Sequence, residues 1–161
     1  MSDVLDLLLR QLDQAYDAKS WHGTNLRGSI RGLTLDEASF RPQPDRHNVW
    51  EIVLHCAYWK YTVRRRLTGE KRGSFPLAGS NFFARPDGAA SERDWRRDVA
   101  LLDMVHASLR EAVATLPAKR LRAAASGSQV SNLDAILGIA AHDLYHAGQV
   151  QLLKRLARAG R

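Results

Sequence analysis

Apolar residues recur every three to four positions along most of the chain, which is the spacing that lines one face of an α-helix. In the first such segment, Ser2 or Asp3 can cap a helix that runs to about Ala18. The residues on its predicted inner face are Val4, Leu8, Leu12 and Ala15. The pattern breaks at residues 21–25 and then resumes only weakly, so one long helix is predicted for this part of the chain.

Three further segments predict long helices, and each is preceded by a capping pair. The pairs are Asn48 with Glu51, Ser91 with Asp94, and Ser131 with Asp134. The predicted ends lie near Leu67, before Pro117 and near Ala159. Thr34 with Glu37 predicts one further short turn of helix, ending near Phe40. Long connections are expected at 70–90, in a position to close over a site, and at 117–130. No alternating strand pattern is present, so the predicted fold is all-α, a four-helix bundle with long connections.

Length and composition narrow the class of protein. The 161 residues can form one domain with its own core, and we expect residues 1–161 to be a single domain. Cys56 is the only cysteine, which excludes a disulfide within the chain and favours a cytoplasmic location. The acidic first residues do not resemble a signal peptide. No apolar run approaches the length of about 18 residues that a membrane span requires, so no membrane partner is expected.

The formal charge of +7 raises the question of a nucleic-acid partner. The basic residues fall mostly at predicted helix ends, where cations suit the helix dipole. No groove-reading motif or aromatic-interleaved basic strip accompanies them. The charge is therefore interpreted as solvated surface, and no specific nucleic-acid binding is predicted.

Candidate chemistry is concentrated in the last predicted helix. His142 and His146 are four residues apart, which places both imidazoles on one helix face, and this spacing is typical of a divalent-metal site. Gln149 lies on the same line, in an otherwise apolar stripe that includes Leu153 and Leu156. The alternative is a pair of buried histidines hydrogen-bonded within the core. The glutamate of an HExxH motif is absent, so a zinc protease is not indicated.

A third ligand has to come from elsewhere in the chain. His55 lies on a face of the second long helix that also carries Glu51, Tyr58 and Arg66. This mixture of apolar and polar groups is typical of a ligand cavity. His106 is a rival, but its predicted face is aliphatic, which favours a hydrogen-bonded core histidine. Cys56 points about 100° away from His55 and is interpreted as a buried hydrophobe.

Three segments together resemble the DinB/YfiT superfamily of four-helix bundle proteins: WHG at 21–23, NVWEIVLHCAYW at 48–59, and HDLYHAGQV at 142–150. The resemblance implies a metal site made by His55, His142 and His146, with positions left open for a small molecule. It selects His55 over His22 and His106. The ligand set favours zinc or nickel, because imidazole suits both.

The resemblance also implies two reaction types. Characterised members include S-transferases that use bacillithiol or related thiols and a mycothiol-dependent isomerase, and many others are described as metal-dependent hydrolases. Transfer of a glutathione-, bacillithiol- or mycothiol-type thiol is the preferred hypothesis, because the chain has no suitably placed cysteine of its own. A hydrolase is the alternative, and a non-catalytic metal-binding protein is the third.

Roles for the other candidate residues remain open between structure and chemistry. Glu51 could cap a helix or act as a general base, and His22 could contact the substrate or carry a proton. Gln149 could hold a metal-bound water or pair with a ligand imidazole. Tyr58 and Arg66 could bind an anionic substrate, although an arginine at a helix end is commonly only solvated.

A homodimer is also expected. Members of the family commonly pair through helix faces, and the chain carries more aromatic bulk than one bundle interior obviously needs. The tryptophans are Trp21, Trp50, Trp59 and Trp95.

Overall fold

The computed structural model describes residues 3–125 and 127–159, and within them the only regular elements are helices. The helices are α1 (Asp3–Tyr16), α2 (Leu26–Ser29), α3 (Leu35–Ser39), α4 (Val49–Thr68), α5 (Glu92–Ala114) and α6 (Asn132–Ala159), with a 3₁₀ turn at Ala118–Arg120. The prediction of an all-α fold with four long helices is confirmed. No helix in these described ranges combines the length and the apolar character needed to cross a membrane.

Three of the long helices begin where the capping residues predict, whereas Ser2, one predicted cap of α1, lies outside the described residues. The Asn48 side chain accepts a hydrogen bond from the Glu51 N–H at the start of α4, and Ser91 forms a reciprocal capping box with Asp94 at the start of α5. These contacts satisfy N–H groups that the first turn of a helix leaves without partners. Gly69 ends α4 in the left-handed region, with φ of 80°, which is favourable for glycine.

The core lies between α4 and the two other long C-terminal helices. α4 packs against both α5 and α6, and α1 packs against α6 and α5. Trp50 and Trp95 are buried between α4 and α5 and meet edge to face, with ring centroids 5.7 Å apart. A second apolar cluster, which includes Leu12 and Leu109, joins α1 to the C-terminal halves of α4 and α5 and to the N-terminal half of α6. Each large side chain buried in this way contributes about 1.5–3 kcal/mol.

Two details of the predicted pattern are wrong. Val4 is 47% exposed because the buried face of α1 is centred on neighbours such as Leu5 and Leu9. Val4 therefore lies at the edge of the apolar stripe. In α6, Leu156 is 43% exposed, since it is displaced by about 60° from Leu153 around the helix.

Candidate metal centre

Three imidazoles from two helices converge at one point in the bundle. α4 contributes His55, and consecutive turns of α6 contribute His142 and His146. The His142 Nε2 atom lies 3.0 Å from His55 Nε2 and 3.1 Å from His146 Nε2. His55 and His146 are buried, and His142 is partly buried. These three side chains form a group that could hold a metal ion.

The second ring nitrogens determine which atoms face the shared point. His55 Nδ1 donates to the backbone carbonyl of Asn81 at 3.1 Å, and His146 Nδ1 donates to Gln149 Oε1 at 2.6 Å. Because both acceptors are carbonyl oxygens, each Nδ1 carries the hydrogen, and each Nε2 presents a lone pair to the centre. His142 Nδ1 is buried and has no hydrogen-bond partner among the described residues.

A divalent cation fits this arrangement. If His142 Nε2 carried a hydrogen, it could donate to only one of the two lone pairs on His55 Nε2 and His146 Nε2. A cation can instead bind one lone pair from each of the three Nε2 atoms. Metal–nitrogen distances of about 2.0–2.1 Å place neighbouring ligand nitrogens between about 2.8 Å apart, in octahedral geometry, and about 3.4 Å apart, in tetrahedral geometry. The observed separations of 3.0 and 3.1 Å lie in this range.

The environment keeps the imidazoles in the neutral form that binds metals. Burial, together with a smaller effect of the neighbouring histidines, lowers the pKa of His55 to about 4 and that of His142 to about 3. Burial also lowers the pKa of His146, although the hydrogen bond to Gln149 opposes this shift. At neutral pH protons therefore compete weakly for the three nitrogens.

A cavity of about 590 Å³ opens onto the three histidines. Its walls include Ile52 and Leu153 from the helices and Phe82 from the connection between α4 and α5. The Phe82 ring stacks on His55, with centroids 4.0 Å apart and planes 12° apart. Asn81 of the same connection receives a hydrogen bond from Trp59 at 3.0 Å. The connection predicted at 70–90 thus forms part of the site.

Glu51 has a different structural role from the capping role that its position predicts. Its carboxylate is buried and contacts Arg41 Nη2 at 2.6 Å, His47 Nδ1 at 2.8 Å and the Arg85 N–H at 3.2 Å. Burial raises the pKa of Glu51, but these hydrogen bonds outweigh it, so the net pKa lies below the usual value. Glu51 does not line the cavity, and Asn48 alone provides the side-chain cap of α4.

The remaining predicted site residues are distributed around the bundle. Gln149 lines the cavity and holds His146, as the spacing suggested. Tyr58 lines a separate cavity and packs edge to face against Phe75, and Arg66 lines a third cavity together with Arg120. His22 is exposed, with its Nδ1 3.4 Å from Ser20 Oγ. None of these three side chains lines the cavity above the histidines.

The structure contains a buried ion pair beside the metal-facing histidines that the sequence analysis did not predict. Lys60 is fully buried and forms an ion pair with Asp143, and its Nζ lies 3.1 Å from His106 Nδ1. The prediction that His106 has aliphatic surroundings is therefore wrong, but His106 is, as predicted, a hydrogen-bonded core histidine. The Tyr16 ring stacks on His106 at 3.7 Å. The signal for this ion pair in the sequence was a charged residue, Lys60 or Asp143, within an otherwise apolar segment of each helix.

Cys56 is buried, and burial raises the pKa of its thiol well above the usual value. With His142 and Asp143 it forms a second group of potential ligand atoms, all within 4.8 Å of one another. The Lys60 ammonium group already supplies a positive charge to Asp143, so this second group is less suited to a cation than the three histidines are.

The chain was also compared with known protein families. The sequence profile of the DinB superfamily matches residues 19–150, which is most of the chain. No curated protein and no solved structure matches the chain.

Proposed function

The chain belongs to the DinB superfamily, and on that premise we propose that it is a metal-dependent enzyme that transfers a low-molecular-weight thiol to a small electrophilic molecule. The observation that carries this proposal is the convergence of three imidazole Nε2 atoms at a cavity of about 590 Å³. Zinc or nickel suits three neutral imidazoles. A bound divalent ion would act as a Lewis acid and lower the pKa of a thiol or of water.

The chain's own residues support this chemistry by binding and orientation. Asn81 and Gln149 fix the imidazole rings, and Phe82 shields one face of His55 from solvent. Arg46 is largely exposed and lines the cavity, which suits an anionic thiol such as glutathione or bacillithiol. The buried Cys56 offers no accessible thiol, so the sulfur nucleophile has to come from a cofactor.

Hydrolysis is the second candidate function. It needs no thiol, but the residues predicted to move its proton, Glu51 and His22, do not line the cavity. A metal-binding protein without catalysis is the third candidate.

Homodimer formation also belongs to the proposal. Trp50 and Trp95 fill the core, so these two tryptophans are not available for a dimer interface. A stripe of exposed apolar residues on α6 supports pairing instead. It consists of Leu137, Tyr145, Leu152 and Leu156. A cytoplasmic location and a single domain stay predictions from the sequence.

No specific nucleic-acid partner is proposed. Arginines in several parts of the chain are engaged with carboxylates. The pairs include Arg27 with Asp103, Arg64 with Glu70, Arg110 with Asp13, and Arg158 with Glu37.

The proposed reaction is tested by incubating zinc- or nickel-loaded protein with a fluorogenic electrophile, with and without glutathione, bacillithiol or mycothiol, alongside a panel of esters and amides. We expect turnover that requires a thiol and is lost in His55→Ala. Met104→Ala, on an exposed position of α5, is the control and should retain turnover. Thiol-independent ester or amide turnover that His55→Ala abolishes would instead establish the hydrolase. Absence of metal-dependent turnover with every substrate would favour the metal-binding protein without catalysis.

A further inference from the structure

His47 lies at the mouth of the metal cavity, held on two sides. Its side chain is 48% exposed and lines the cavity, with Nδ1 2.8 Å from Glu51 Oε2. Its ring stacks on Phe82, with centroids 3.7 Å apart and planes 3° apart, and the same Phe82 stacks on His55. The orientation of the His47 ring relative to the metal-facing histidines is therefore fixed by two independent contacts.

Glu51 determines which nitrogen of His47 is free. The Glu51 carboxylate is buried and is held by Arg41 and by the Arg85 N–H, which keep it ionised and acceptor-only. The Nδ1 atom of His47 is therefore the donor in this pair, and its Nε2 atom retains a lone pair. A buried carboxylate that fixes the tautomer of an imidazole also stabilises the imidazolium formed when that imidazole takes up a proton.

We infer that His47 is the proton carrier of this site and that Glu51 is its positioning residue. The inference rests on the proposed thiol transfer. His47 Nε2 takes the proton of the incoming thiol, and the electron pair left on sulfur forms the new carbon–sulfur bond. The bond from that carbon to the leaving group breaks, the leaving group keeps its electron pair, and His47 returns the proton to it or to solvent. No group is oxidised or reduced.

The charges around His47 suit this role. Glu51 is the carboxylate that faces it, and Arg41 donates hydrogen bonds to both oxygens of that carboxylate. Arg46 lines the same cavity and places a positive charge near an anionic thiol. Neither residue that the sequence proposed for proton transfer has this geometry, because neither His22 nor Glu51 lines the cavity. Glu51 instead contacts His47, which does line it.

The test is rescue of turnover by an external base. Zinc-loaded protein is assayed with glutathione and the fluorogenic electrophile near pH 7.5, with and without added imidazole. In His47→Gln turnover should fall on the order of 10²–10⁴-fold, because the variant lacks the side chain that takes the thiol proton. Added imidazole should restore part of the turnover of His47→Gln and change that of the wild type little, which a merely structural loss would not show.

Two further measurements make the outcome unambiguous. His22→Gln should keep the wild-type turnover, and a loss in that variant rather than in His47→Gln would overturn the inference. Nitrogen NMR of metal-free wild-type protein should show the Nδ1–H tautomer of His47, and an Nε2–H tautomer would also overturn it. Equal turnover in wild type and His47→Gln, or a loss that imidazole does not restore, would reject His47 while leaving thiol transfer intact. Absence of glutathione-dependent turnover in the wild type would reject thiol transfer, and with it the inference.

Discussion

Each metal-facing histidine has a different environment at its second ring nitrogen. Gln149 holds His146 from the next turn of the same helix, the backbone carbonyl of Asn81 holds His55, and His142 Nδ1 is buried without a partner in the described part of the chain. The Gln149 contact could be predicted because it follows from helical spacing. The Asn81 contact could not, because a main-chain carbonyl carries no signal in the sequence and this one is 26 residues away.

Replacing Gln149 should weaken metal binding without removing it. Gln149→Ala deletes the acceptor that orients His146, and loss of such an outer partner typically costs 10–100-fold in metal affinity, by an order-of-magnitude estimate. The measurement is competition with a chelator for zinc. Gln149→Glu retains an acceptor oxygen and should bind zinc close to the wild-type affinity. Equal affinity in Gln149→Ala and the wild type would show that this contact does not orient the ligand.

His106 should make part of the protein's stability sensitive to acid. Burial, and then the nearby Lys60 charge, lower the pKa of His106 to about 3, below the unfolded value of about 6.5. Its contribution is therefore complete above pH 6.5 and is lost as the pH falls toward 3, by about 1.4 kcal/mol per pH unit.

The comparison is between wild type and His106→Phe, which can keep the ring stacked on Tyr16. Urea unfolding at several pH values should show that the free-energy difference between the two proteins is constant above pH 7 and shifts in favour of the variant below pH 6.5. Parallel stability curves from pH 7 to pH 5 would contradict the assignment.

At the scale of the elements, Asn48 at the start of α4 links this helix, which carries His55, to the 70–90 segment that forms part of the site. Asn48 accepts from the Glu51 N–H at 2.9 Å and donates to the Arg85 carbonyl at 2.6 Å. The sequence predicted the first contact, since capping is local. The second depends on how the 70–90 connection folds back, and tertiary packing decides that path.

Removing this side chain should cost more than removing an ordinary cap. Asn48→Ala leaves the buried Glu51 N–H without this acceptor and leaves the Arg85 carbonyl with only the longer contact from Arg41 Nη2 at 3.4 Å, so we expect a loss of about 2–3 kcal/mol in the free energy of unfolding. Ser91→Ala, at the exposed cap of α5, is the matched control and should lose about 1 kcal/mol. Chemical denaturation of both variants makes the comparison, and equal losses would show that the Arg85 contact contributes nothing.

At the scale of the whole molecule, the bundle was predictable and the arrangement of its polar groups was not. Caps and apolar spacing located all four long helices. Helical geometry placed Tyr58, Arg66 and His55 on one face of α4, but Tyr58 and Arg66 reach other cavities because neighbouring elements divide that face. Lys60 meets Asp143 only after α4 and α6 have packed, so no local pattern could pair them.

The exposed stripe of α6 should pair two copies of the chain. Sedimentation equilibrium at tens of micromolar is expected to give twice the chain mass of 18.0 kDa. Leu137→Lys combined with Leu156→Lys places two charges in the stripe outside the cavity lining and should give monomers. A wild-type mass near 18.0 kDa would reject the dimer, and an unaffected dimer in the double variant would place its interface elsewhere.

The most direct test of the central claim is the metal content of protein purified without a metal-affinity tag. The wild type should carry about one divalent ion per chain, with zinc or nickel expected from three neutral imidazoles. His142→Ala removes the nitrogen that lies within 3.1 Å of both other ligands and should lose the ion. His22→Ala, in which an exposed histidine outside the cavity lining is removed, should keep it. Equal metal content in wild type and His142→Ala, or no metal in the wild type, would contradict the account.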